Sequence, residues 1–450
     1  MSARVDIAIK AKNEDATADI QRAIDDASRN GGGRVTLSAG RHVSGGLRLK
    51  SDVELHLEKD ALLEFLADYD AYIDMTVSVL AEKSDRAMIV AVGAQNISVT
   101  GSGRIEAGGE SFIIGNDEAM GTYIPAHFRP RVMVFEHCQN VRLKDFTVAN
   151  SPMWTLHMVN CENLLVRQVC ILNDRRLPNT DGIVLDACRE VVIEACDIST
   201  ADDGICLKTS AGANGRAVGI CENVSVRHCK VSSLSCALKL GTESFGDFRN
   251  VTFEDCQVID SNRGLGLFSR DGGEMRNIRF SRIEVDCQET RDGFWGSGEA
   301  LTVTVVDRKP DRPAGRIENL VVEHLTGRME GAINLISTSD AGIHNVALNH
   351  ISLRQAAGKL GTGRRYDLRP TNADIAPSVD AAGRANAWTL GTDGRVIGLE
   401  DYPGGMPAIY LAGVHRLTTS DVDMNRTKPL PAGWNVNEIV TMTRALEGSK

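Results

Sequence analysis

The chain has 450 residues, 42% of them hydrophobic and 24% charged, with 43 glycines and 5% aromatics. That is the composition of a globular protein built from many short strands and turns, and the length admits one large domain or two to three ordinary ones. A formal net charge of −10 and a pI near 5.6 argue against a nucleic-acid binder, which needs a basic surface; an anionic sugar stays open, because only the local field of a cleft matters. No stretch is long enough to span a bilayer, and Met1–Asp6 begins no apolar core of signal-peptide length. The 11 cysteines are odd in number and include no CxxC pair, which fits free thiols in a reducing cytoplasm.

In chain order, the first predicted element is an amphipathic helix over Thr17–Ala27, with Ile20, Ala23, Ile24 and Ala27 on one face. Gly31–Gly33 ends it and Val35–Leu37 begins a strand. A helix here would cap the open end of a solenoid, whose terminal strands otherwise expose an edge.

A repeated phrase follows: a polar residue, usually Asn, then alternating apolar residues. It begins at Asn140, Asn163, Glu190, Asn223, Asn250 and Asn277, at spacings of 23, 27, 33, 27 and 27 residues, with weaker copies at Asn96, Asn319 and Asn345. A period in the twenties with period-2 strands inside each unit predicts a solenoid. Val- and Ile-rich strands without a helical phase predict an all-β parallel β-helix rather than a leucine-rich repeat, its coils about 4.8 Å apart. Cys196, Cys229 and Cys256 take the seventh place in their repeats and should stack inward as small hydrophobes.

Residues 355–405, polar and rich in Gly and Pro, break the repeat. They read as a surface excursion, as a wall over a groove or as an oligomer contact. A last coil is expected over 407–424, closed by a tail anchored at Trp434 and Ile439. The expected organisation is one β-helix domain across 1–450. Its cap covers about 1–34, its coils about 35–354, its insertion about 355–405, and its last coil and tail about 406–450.

Two acidic motifs, Asn179-Thr180-Asp181-Gly182 and Ala201-Asp202-Asp203-Gly204, lie about one repeat apart. Stacked coils would bring Asp181, Asp202 and Asp203 together, which is what acid/base hydrolysis of a glycosidic bond needs: one carboxyl protonated, the others ionised to activate water. Either motif alone could equally decorate a turn, where Asp-Gly is common.

Together with Asp15–Ile24, the run Gly31–Gly40, Arg129-Pro130, Ala149–Trp154 and His157, these motifs resemble the polygalacturonase family, glycoside hydrolase family 28, of the pectin-degrading right-handed β-helix superfamily. The resemblance covers nearly the whole chain except about 355–405. It implies an inverting hydrolase in which Asp202 is the general acid, Asp181 and Asp203 hold and deprotonate the attacking water, and Asn179 positions substrate or a carboxylate. Spacing alone leaves stereochemistry open, since stacked carboxylates can approach to about 5 Å, the retaining distance, whereas inversion uses roughly 6.5–9.5 Å.

The chain departs from the family pattern in two places. The family's Gly-His-Gly motif is replaced by Ser235–Glu243, with Cys236 at the histidine position. Lys239 faces the same way and is a candidate for the missing positive charge, with Glu243 as its partner or a fourth carboxylate. The family's Arg-Ile-Lys motif is replaced by Gly266-Leu267-Phe268, flanked by Arg263 and Arg270, either of which could pair a sugar carboxylate bidentately. Lys208 should face the cleft by alternation from Asp202. Trp154 and Tyr123 are candidates for stacking on sugars or for packing, and His157 reads as structural. The expected partner is an oligosaccharide containing galacturonate or rhamnose, attacked endo- or exo-wise, with no cofactor, metal, nucleic acid or membrane. A β-helix polysaccharide lyase and a non-catalytic carbohydrate-binding β-helix are the alternatives; oligomeric state is not legible.

Overall fold

The computed structural model describes residues 5–81, 84–291, 293–371 and 389–443. The chain winds as a right-handed parallel β-helix, each coil laying strands onto parallel ladders in register with the coils before and after. One ladder stacks Gln139–Lys144, Glu162–Arg167, Arg189–Glu194, Cys221–Arg227 and Phe248–Glu254. A second stacks Thr147–Ala149, Cys170–Leu172, Asp197–Thr200 and Lys230–Ser233. The third stacks Leu156–Val159, Ile183–Asp186, Ile205–Thr209, Cys236–Ser244, Arg263–Ser269 and Leu301–Val305.

The repeated Asn marks the turn that enters the first ladder. Asn96, Asn140, Asn163, Asn223, Asn250, Asn277, Asn319 and Asn345 all have φ between 54° and 59°, the left-handed region that Asn tolerates better than most residues. The Nδ2 groups of Asn140, Asn250, Asn277, Asn319 and Asn345 each donate to the Asn one coil earlier at 2.9–3.2 Å. Glu190 keeps the turn and accepts from Asn223 at 2.6 Å.

Alternating Val, Ile, Leu and Phe fill one continuous core, in which Phe253 and Phe280 stack with centroids 4.9 Å apart. Cys196, Cys229 and Cys256 are buried in it. A second buried row, Cys138, Cys161, Cys188 and Cys221, donates its thiols to backbone carbonyls. All 11 thiols are free.

The N-terminal helix spans Thr17–Arg29 and buries Ile20, Ala23, Ile24 and Ala27 against Val5–Ile9, Gly33–Leu37, Leu47–Arg48 and Val53–Leu57. After Gln355 the chain leaves the ladders, and Arg365–Asp367 pairs antiparallel with Leu399–Asp401; the part of the insertion over 372–388 lies outside the described residues. The coil then resumes, with Ile409–Ala412 and Val414–Arg426 in register with the preceding turn. Trp434 is buried as expected, whereas Ile439 is 48% exposed and opens the last strand, Ile439–Met442.

Candidate active site

Both acidic motifs lie in turns that deliver the chain into the third ladder. Their glycines follow from how closely these turns stack: a Cβ on Gly182 would lie 2.5 Å from the Gly204 carbonyl oxygen, and one on Gly204 2.7 Å from that of Ala237. Backbone bonds from Gly182 N to Asp203 O, from Gly204 N to Cys236 O and from Gly264 N to Glu299 O set the register, and Cys236 pairs with Arg263. Five successive coils therefore present Asp181, Asp203, Cys236, Arg263 and Glu299 on one row.

Asp202 sits beside this row, its turn pinned by the Thr200 and Ser233 hydroxyls, which donate to its carbonyl at 2.6 and 2.7 Å. Its Oδ1 accepts from Asp203 N at 3.0 Å. Carboxylate oxygens of Asp181, Asp202 and Asp203 lie within 4.8 Å of one another, all three residues buried. They line an open groove together with Trp154, Lys208, Lys239, Glu243 and Arg263.

Two lysines decide how this cluster holds its charge. Lys239 Nζ donates to Asp203 Oδ2 at 2.5 Å, and Lys208 Nζ donates to Glu243 Oε2 at 2.7 Å. Burial opposes ionisation of Asp203, but Lys239 and then Lys208 outweigh it and hold that carboxyl below the usual range. Asp181 goes the other way: burial, then the charges of Asp202 and Asp203, push it well above. Glu243 is held low by Lys208 and Arg308 against its burial. The three Asp are close enough to ligate one cation, but Lys239 already supplies a positive charge at hydrogen-bond distance. Cys236, at the position where the family carries histidine, is kept a neutral thiol, since burial and then Asp203 push it up to about 12.

Of the other expected residues, Asn179 lines the groove with φ 62°, and its Oδ1 accepts from Arg129 at 2.8 Å. Trp154 lines it too, but is buried; Lys208 Nζ lies 4.7 Å from its ring centroid and His157 packs edge-on. Arg263 is buried in the wall, 3.2 Å from Asp367 and 3.7 Å from Glu299. Arg270 does not reach the groove, which corrects its expected role as an anion ligand. Its guanidinium N–H groups go to Ser269, Thr304, Leu368 and Pro370, making it a strut beneath the insertion. Tyr123 also lies off the groove, on an antiparallel hairpin with the Arg176 guanidinium over its ring. His157 is wholly buried between Arg131, 2.6 Å away, and Asp186, 3.5 Å away; burial pushes it down to about 4.

Part of the groove's lining was not legible in the sequence: Trp295, Arg308, Arg369 and Pro370 line it beside Phe268. Arg308 pairs bidentately with Asp271 at 2.8 and 2.7 Å. Arg369 pairs with Asp367 at 2.9 and 2.8 Å and lies over Trp295. Asp367, Arg369 and Pro370 come from the 355–405 insertion, so that segment walls the groove. Being outside the repeat, it carries no register from which its facing residues could be read.

The comparisons with known proteins agree with this geometry. The model of the family "Glycosyl hydrolases family 28" matches residues 55–360. A Vitis vinifera protein named "Probable polygalacturonase" is 27% identical over 247 residues, 51% of this chain and 49% of its own length; the chain thus spans about half of this relative. Among solved structures, a hyperthermoactive exopolygalacturonase from Thermotoga maritima superposes with TM-score 0.66 at 22% identity, covering 78% of this chain and 87% of that one. A family 28 exopolygalacturonase from Yersinia enterocolitica gives 0.65 at 16% identity, covering 96% and 77%. With a family match over more than half its length and the acidic motifs on adjacent coils of a parallel β-helix, this chain belongs to glycoside hydrolase family 28.

Proposed function

We propose that the protein is a glycoside hydrolase that cleaves pectin-type oligosaccharides, containing galacturonate or rhamnose, by inverting acid/base hydrolysis and from the chain end. The observation that carries this reading is the buried trio Asp181, Asp202 and Asp203 with protonation split by Lys239. Asp203, held ionised, takes a proton from the attacking water; its Oδ1 has no protein hydrogen-bond partner among the described residues. Asp181 holds the proton of the free site and passes it to the adjacent Asp202, which gives it to the leaving oxygen.

The insertion supports exo action: its Arg369 and Pro370 line the groove beside Trp295, and a segment outside the coils that narrows the groove favours a chain terminus. Inversion rests on family membership: carboxylate oxygens that all lie within 4.8 Å of one another do not by themselves select the roughly 6.5–9.5 Å separation that inversion uses. Eleven free thiols support a cytoplasmic site of action on sugars already taken up.

The test follows oligosaccharide cleavage by proton NMR, reading the anomer first released. Asp202→Asn and Asp203→Asn should each lower kcat about 10²–10⁴-fold. Full activity in both would sink the hydrolase reading. A retained anomer would overturn inversion, and an unsaturated product would mean elimination instead.

A further inference from the structure

The groove holds five basic side chains, yet each faces an acid of the protein itself. Lys239 meets Asp203 and Lys208 meets Glu243. Arg308 is forked onto Asp271, while Arg263 and Arg369 share Asp367. Glu299 stands 3.7 Å behind Arg263. Asp181 and Asp202 add two more acids, so five cations face seven carboxyl groups. Even with protons on Asp181 and Glu299, both of which burial pushes up, the balance only reaches zero. A sugar carboxylate entering here would lose its hydration without gaining an uncommitted cation.

The aromatic rings that line the groove hold the same cations in place: Lys208 lies over Trp154, Arg263 over Phe268 and Arg369 over Trp295, 4.7, 4.9 and 5.3 Å from the ring centroids.

Resting on the hydrolase reading above, we propose that the sugar unit held against Asp181, Asp202 and Asp203 is uncharged: a neutral hexose or deoxyhexose, or a uronic acid whose carboxyl group is esterified. Anionic units of the same oligosaccharide would lie away from the acids. The internal ion pairs then act as a specificity filter, because admitting a carboxylate requires breaking one of them. Glu243 is the most exposed acid of these pairs, its side chain 27% accessible, so Lys208 is the cation most readily freed.

The experiment compares kcat/KM of the full chain for an α-1,4-linked galacturonate trisaccharide, its methyl ester, its carboxyl-reduced counterpart and a rhamnose-terminated rhamnose–galacturonate oligosaccharide. The neutral-terminated substrates should be cleaved at least tenfold faster than the free acid. In Glu243→Gln, which frees Lys208, that preference should shrink about tenfold or more; Asp197→Asn, on an exposed pair of the second ladder, should leave it unchanged. A free acid cleaved as well as its ester would overturn the filter and leave the hydrolase reading intact. Cleavage of none of the four would overturn both. Calorimetric binding of the acid and its ester to Asp202→Asn separates binding from turnover: equal affinity would likewise overturn the filter.

Discussion

At the residue scale, Lys239 does what composition could not show. The position where the family places a histidine holds a neutral thiol, and the positive charge comes from three residues further along the same strand. Replacing Lys239 with Gln leaves Asp203 buried without its counter-charge, so its pKa should rise. The acid limb of kcat/KM should then move to higher pH and kcat fall about 10²-fold or more, while Lys239→Arg should recover part of both. An unchanged acid limb would mean that the ammonium does not tune Asp203. Asp181 gives a prediction on stability. Its carboxyl is raised in the folded state, so folding is most favoured below the unfolded value of about 3.9 and loses stability as pH rises above it. Asp181→Asn should therefore stabilise the fold at pH 7 by about 1–2 kcal/mol, a typical gain from relieving a strained site, with the difference vanishing near pH 4. Thermal unfolding across that range checks it.

At the scale of the element, the first ladder was legible and its companion turn was not, for one physical reason. Every entry to the first ladder needs a left-handed residue that also hydrogen-bonds to the coil below, and Asn meets both demands. Asn250→Ala should cost about 1–2 kcal/mol for the left-handed backbone and about 1 kcal/mol for each side-chain bond lost. Asn250→Gly should recover only the backbone part, and urea unfolding distinguishes the two. The later turn of each coil is left-handed as well, with φ of 52–54° at His228, Asp255, Arg282, His324 and His350. It uses no one residue type, so no phrase repeats there. Inside the coils, period-2 alternation identified the core correctly because each inward residue stacks on its equivalent one coil away. Phe253→Ala, which removes half of the Phe253–Phe280 stack, should cost about 3–5 kcal/mol.

For the molecule as a whole, Asp367 joins the insertion to the β-helix. It accepts from Arg369 and Gly296 N and pairs with Arg263; burial opposes its charge, but Arg369 and Arg263 hold it down at about 2. Asp367→Ala would leave two buried guanidinium groups without their shared carboxylate, and should cost about 3–5 kcal/mol and loosen the wall. If the wall enforces exo action, this variant should release longer products early in the reaction; monosaccharide release alone would separate the wall from exo action. The stability Asp367 confers is present above its unfolded pKa of about 3.9 and is lost as pH falls through about 2. The sequence by itself determined the solenoid and the meeting of Asp181 with Asp202 and Asp203, because both follow from a periodic pattern in which one coil's spacing places residues side by side. Only the tertiary structure decided which cations serve those acids, that Arg270 is a strut, and that Trp295, Arg308 and Arg369 line the groove. Those pairings join segments up to about a hundred residues apart, as from Arg263 to Asp367, and outside the repeat no local spacing encodes where a side chain will find its counter-charge.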